Sequence, residues 1–231
     1  MKALFVLLSF LTVFSLNTMS QSLYEIRRVA DFFDQMKLER GDSKLSLKIS
    51  EIEGSPYLND EFIAGSVFTT SKTEYVDVPL RYNIYNDQIE FLAGEDNIQA
   101  LAVPEIVENI EIGDHNLEYL PYINVKKIRR GFFILLEKGN ASLYARPQVT
   151  FQEAKKAGAY QNAQPAKFLK RPDEYYIRIG SDAARFVQKK KDLTDIFNDH
   201  KKQVDNFMRE NRISPNKPEE LKKLVQYYNT L

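Results

Sequence analysis

The sequence contains no cysteine and no tryptophan, and only two histidines. Without cysteine there is no disulfide, no thiolate nucleophile, no Cys-ligated metal and no lipid anchored on an N-terminal Cys. The fold must rest on an ordinary apolar core. Charge of one sign is missing too: 32 basic and 32 acidic residues cancel. A balanced chain sets up no long-range field favouring nucleic acid or an anionic membrane. Also absent are the G-x-S-x-G elbow, the G-x-G-x-x-G and phosphate-binding loops, and the H-E-x-x-H metal motif. No internal repeat of fixed period occurs. These absences remove most recognisable enzyme classes and leave the ligand unspecified.

The one long uncharged apolar run is N-terminal, Ala3 to Leu16, preceded by Lys2. It is too short to span a bilayer, which takes about 20 apolar residues. Thr18 and Ser20 occupy the minus-three and minus-one positions of a cleavage site before Gln21. This is the pattern of a secretory signal peptide over residues 1–20. The expected setting is therefore export, to the periplasm or the cell surface, with no transmembrane span in the mature chain. About 210 residues remain after cleavage, enough for a sizeable core.

Residues 78–92, "VPLRYNIYNDQIEFL", read as a β-hairpin. With Asn86-Asp87 as a two-residue turn, Tyr82 opposes Phe91 and Ile84 opposes Ile89. Leu80, Tyr82, Ile84, Ile89 and Phe91 then share one face, and Arg81, Asn83, Gln88 and Glu90 the other. Three further ribbons follow the same logic. Ser71-Lys72 would set Val67 against Val76 and Phe68 against Tyr75. Gly113-Asp114 suits a type II′ turn and pairs Ile112 with His115. Gly131–Glu137 and Ala141–Phe151 pair across "KGN", with Pro147 marking an edge or a bulge in the returning strand. A last ribbon, "EYYIRIG" with "AARFVQ", turns at Gly180-Ser181-Asp182.

The ends differ. Leu23, Ile26, Ala30 and Phe33 suggest an amphipathic helix over 23–38, and "KLSLKIS" alternates like a strand. Beyond Leu193 the apolar period becomes helical, clearest in Leu221, Leu224, Val225 and Tyr228, with Pro218 opening that helix. The expected fold is α+β and mainly β: an antiparallel meander forming a curved sheet or partial barrel, with a small C-terminal helical segment. The expected division is a helical segment over 21–43, the meander over 44–152, a strap or linker over 153–173, and a hairpin plus helices over 174–231.

Candidate sites are few. His115 flanks a turn and His200 lies on a helical stripe, so both read first as structural. Asp195 and Asp199 could share a face near His200, but the spacing fits no dedicated metal motif. "KKIRR" at 126–130 is either a solvated turn or a contact for phosphate or a lipid headgroup. Thirteen tyrosines against no tryptophan read first as core and rim packing, and at a wet sheet face Tyr can instead stack on a sugar or a partner protein. By pattern the exposed contact set is Tyr57, Asn59, Tyr85, Asn86 and Tyr160.

At "GSPYLNDEF" (54–62), "VPLRYNIY" (78–85), "PAKF…DEYYIRIG" and "LVQYYN" the chain resembles a family of uncharacterised exported proteins of Bacteroidota-type bacteria. The resemblance begins near Glu51 and does not reach Leu23 to Lys48. Family members favour Asp-Gly in the first hairpin turn, where this chain has Ser71-Lys72. The resemblance implies a cell-envelope setting and carries no catalytic residue, cofactor or metal.

The function expected from the sequence is an exported, non-catalytic protein that binds another envelope component, protein or glycan. The alternatives are an envelope hydrolase using a carboxylate pair, drawn from residues such as Glu90, Glu108 and Glu118, and a curved sheet that carries a lipid.

Overall fold

Period-two alternation of apolar residues dominates the middle of the chain and produces one large antiparallel sheet that curls into a half-barrel. The computed structural model describes residues 24–28, 31–32, 52–94, 97–157 and 162–231. The signal-peptide expectation and the strand expected at "KLSLKIS" lie outside them.

The strands are β1 (Glu25–Arg27), β2 (Ile63–Thr69), β3 (Thr73–Asn83), β4 (Gln88–Leu92), β5 (Ile98–Ala100) and β6 (Val107–Ile112). They continue as β7 (His115–Asn124), β8 (Lys127–Glu137), β9 (Ala141–Gln152), β10 (Lys167–Ile179) and β11 (Arg185–Val187). Their spatial order is β11-β10-β9-β8-β7-β6-β2-β3-β4-β5, with β1 running parallel beside β3. The helix expected over 23–38 is thus corrected at its start: Glu25–Arg27 is an edge strand pairing with Thr73–Tyr75, whereas Asp31 and Phe32 are helical. An open sheet edge outcompetes a modest helical period. Lys167–Asp173, expected in the strap, forms the first half of β10 because its backbone continues the ladder with β9.

Two short segments close what the meander leaves open. Glu53 bridges to Lys167 of β10, and Tyr57 bridges to Asn83 of β3. The stretch 53–57 therefore joins strands from opposite parts of the sheet order. At the other end Ala184 bridges to Tyr122, its N–H donating to the Pro121 carbonyl at 2.8 Å while its own carbonyl accepts from Ile123 at 2.9 Å. That contact brings β7 to β11 round into a ring, which Leu120, Tyr122, Phe133, Tyr144 and Tyr176 fill. The Phe133 and Tyr176 ring centres lie 4.9 Å apart, edge to face.

The opposite face of the sheet carries two further cores. Tyr75, Tyr82, Phe91, Leu117, Phe132 and Ile134 pack together under Phe32. Ala141, Leu143, Ile177 and Val187 are covered by three C-terminal helices, α1 (Lys190–Ile196), α2 (Lys201–Glu210) and α3 (Pro218–Tyr228). The helical stripes expected from the sequence are the buried ones, and Leu193, Val204, Leu221, Leu224 and Val225 are fully covered. Asn229, capping α3, pins the last helix to β9. Its side chain accepts the Ala141 N–H at 2.7 Å and donates to the Ala141 carbonyl at 2.9 Å.

Register separates what is local from what is not. The Gly113-Asp114 ribbon pairs as expected, Ile112 opposite His115, with Gly113 at the positive φ that its turn requires. In the opening ribbon the connection is four residues, Ile84 to Asp87, so Tyr82 opposes Ile89 and Leu80 opposes Phe91. The shift of two residues keeps both faces intact but overturns the Tyr82–Phe91 pairing. Its cause is a longer turn: Asn83 accepts the Asn86 N–H at 3.0 Å, and the Pro56 carbonyl takes the Ile84 N–H at 2.9 Å. The β2–β3 ribbon keeps the expected register at Ile63–Gly65. A bulge at Asp77 (φ 57°) moves the turn end by one, setting Val67 against Tyr75.

Candidate anion-binding pocket

Strands β8 and β9 pair only from Ile134↔Ala145 to Glu137↔Leu143. Beyond Ala145, β9 stays with β10 while β8 continues along β7 as far as Lys127. Pro147, which has no N–H to give, lies at this parting. The β9–β10 register shifts there between Arg171 and Glu174, which is the bulge its sequence position announces.

Into the gap comes the β3–β4 turn. Asp87, at φ 55°, directs its carboxylate between the parted strands. One oxygen accepts the Tyr82 hydroxyl at 2.8 Å and the Phe132 N–H at 3.2 Å. The other lies 3.1 Å from the Arg146 guanidinium. The carboxylate thus replaces a missing strand neighbour for β8. Gly131 makes room for it: a Cβ there would stand 2.5 Å from the Asp87 carboxylate.

Arg146 rests on aromatic faces, 4.7 Å from the Tyr122 ring centre and 5.6 Å from that of Phe133. Burial opposes its charge, but Asp87 and the surrounding tyrosines outweigh burial and hold its pKa above the ordinary value. Burial first, and then Asp87, push the Tyr82 phenol well above its ordinary value, so it stays a donor.

Around this pair opens a pocket of about 310 Å³. Tyr85, Asn86 and Asp87 form one wall, Arg146 to Val149 another, and Tyr122, Arg129 and Arg130 the third. Arg129 and Arg130 are exposed at its rim. Three arginines thus line a pocket whose one carboxylate already has three partners, Arg146 among them, while the Arg130 guanidinium lies over the Tyr119 ring, 5.3 Å from its centre. Such an arrangement suits a carboxylate or a phosphate, which guanidinium forks grip with paired hydrogen bonds.

The five residues expected from sequence separate. Tyr85 and Asn86 meet in this pocket. Tyr57 is corrected: it is buried at 8% exposure, its ring stacked 3.6 Å from the Arg81 guanidinium, because residues 53–57 close the sheet. Asn59 is half-buried in the same segment, and Tyr160 lies outside the described residues. No pattern in the sequence links Asp87 to Arg146, which lie 59 residues apart. "KKIRR" and Pro147 were the two sequence signals that pointed here.

Five other candidates have structural partners. Glu90 binds Arg81 at 2.6 Å, Glu108 binds Lys72 at 2.6 Å, and Glu118 accepts the Tyr144 hydroxyl at 2.7 Å. None of the three lines the pocket. Asp199 accepts the Tyr228 hydroxyl at 2.8 Å, and the His200 ring packs edge-on to Tyr228. Among the described residues no group of three His, Asp or Glu is placed to hold a metal. No helix among them is long and apolar enough to cross a membrane.

No protein-family model, curated protein or solved structure matches this chain.

Proposed function

We propose that this is an exported binding protein of the bacterial cell envelope, without catalysis of its own, that holds an anionic group of another envelope component between Arg129, Arg130 and Arg146. Export is supported by Lys2, the apolar run 3–16 and the small residues before Gln21. The observation that supports the binding reading is the charge count of the pocket lining, three arginines against one carboxylate that is already engaged by Arg146. The rival readings have less support. A hydrolase would need a second carboxyl group in the pocket. A lipid carrier would need space behind the curled sheet, and both of its faces are packed, with Tyr82, Phe91 and Phe132 on one and Phe133 on the other.

The test is thermal unfolding with inorganic phosphate, acetate, citrate and glucuronate. A bound anion at a hundred times its Kd adds about 2.7 kcal/mol, which for a chain of this size raises Tm by about 5–10 °C. The double variant Arg129→Gln/Arg130→Gln removes two exposed rim charges, so it should lose that rise while keeping the unliganded Tm. A panel in which no anion raises Tm, or a rise that survives in the double variant, overturns the proposal.

A further inference from the structure

The turn joining β7 to β8 runs against the ordinary rules. Val125 and Lys126 form a two-residue loop between the paired residues Asn124 and Lys127, with φ of 44° and 66°. Positive φ at both central residues is the type I′ arrangement, for which Asn-Gly is the natural choice and a β-branched residue among the worst. Val125 is nonetheless 88% exposed at the apex. Directly behind it, the cross-strand pair Ile123 and Ile128 is 40% and 71% exposed. Three branched apolar residues therefore crowd one projecting tip, at a cost in backbone strain that packing does not offset.

Charge along the ribbon that forms the tip is of one sign. From Tyr119 to Leu136 there are four basic residues, Lys126, Lys127, Arg129 and Arg130, and no acidic one. The balance of the whole chain hides this local excess. We infer that the β7–β8 tip docks on an anionic lipid bilayer, inserting Ile123, Val125 and Ile128 into the headgroup zone while Lys126 and Lys127 meet lipid phosphates. A hairpin apex is convex and narrow, a shape that enters a headgroup layer but presents far less than the roughly 800 Å² per partner of a stable protein interface. Lysine is depleted from protein–protein interfaces, whereas apolar residues ringed by lysine and arginine are the pattern of interfacial membrane binding. A bilayer explains both the apolar and the cationic half of the tip. The inference draws on export only for the membrane being within reach, and its variants leave the rim arginines of the pocket unchanged.

The experiment is co-sedimentation with vesicles of phosphatidylglycerol and phosphatidylethanolamine, set against vesicles of phosphatidylcholine alone. It uses protein recovered from the envelope of an expressing bacterium, with its N-terminus read by mass spectrometry. The variant comparison holds for either N-terminus, so a failure of the export reading stays separate. Wild type should bind the anionic vesicles, and more weakly at high salt. Replacing Lys126 and Lys127 by Gln should weaken binding roughly fivefold per charge, and Val125→Asn/Ile128→Thr by roughly tenfold or more. The variant Val125→Asn/Lys126→Gly supplies the turn with its preferred residues. It should keep or raise Tm yet lose vesicle binding, which a purely structural role for the tip would not produce. Failure of wild type to sediment with anionic vesicles, equal binding to phosphatidylcholine, or unchanged binding by the tip variants overturns the inference.

Discussion

Replacing Asp87 by alanine tests whether a single carboxylate completes the sheet where β8 and β9 part. The substitution removes the acceptor of the Tyr82 hydroxyl, the acceptor of the Phe132 N–H and the ion-pair partner of Arg146 together. Tyr82 is 1% exposed and Phe132 2%, so neither donor gains water. An orphaned buried donor costs about 1–3 kcal/mol. Arg146 and Asp87 are 19% and 24% exposed at the side chain, so breaking their pair costs toward the lower end of the roughly 3–5 kcal/mol of a fully buried one. The three losses share one cavity and do not add, which gives an expected total of about 3–5 kcal/mol. For a chain of this length that is a fall in Tm of roughly 10 °C. Asp87→Asn keeps one acceptor oxygen and should lose about half as much. Urea unfolding of wild type, Asp87→Ala, Arg146→Met and the double variant gives the coupling directly. A fall in Tm below about 3 °C for Asp87→Ala, or strict additivity in the cycle, would refute the argument.

Three further outcomes follow from the same geometry. Gly131→Ala should displace the Asp87 carboxylate, since its Cβ would stand 2.5 Å away; about 1–3 kcal/mol should be lost in chemical denaturation. Asn229→Ala should cost about 1–3 kcal/mol by orphaning both backbone groups of Ala141, and hydrogen exchange at Ala141 should accelerate. Burial and its bond to Asp199 push the Tyr228 phenol up to about 12 from an ordinary 10.0. A raised folded-state value favours the protonated form, so this stability is whole below pH 10 and is lost as pH rises toward 12. Tyr228→Phe should flatten the stability–pH curve in that window, and an unchanged slope would count against the assignment.

The elements legible in the sequence were those set by near neighbours. Gly113-Asp114 held its register because a glycine that accepts positive φ fixes that turn locally. Leu221, Leu224, Val225 and Tyr228 held because helical period and burial agree. The opening ribbon kept its faces, since a shift of two preserves side-chain parity, but lost its pairing to the Pro56 carbonyl, a group from another segment. Glu25–Arg27 failed as a helix because the edge of β3 was available to it, which no local pattern announces. The pocket was legible only in fragments. Pro147 marks a break and "KKIRR" a cationic rim, while the pattern at Tyr85 and Asn86 shows only exposure. Asp87 and Arg146 meet only because β8 and β9 separate and a turn fills the gap, and no spacing rule encodes that. Tyr57 misled because a residue after Gly-Ser-Pro reads as a loop, whereas here the loop closes the sheet and buries its ring against Arg81.

The proposed anion sits where two strands part. Its most direct measurement is amide NMR during titration with phosphate or glucuronate. Saturable shifts confined to Tyr85–Asp87, Arg129–Phe132 and Arg146–Val149 are expected. Shifts centred on the C-terminal helices instead, or no saturable shift at all, would contradict it.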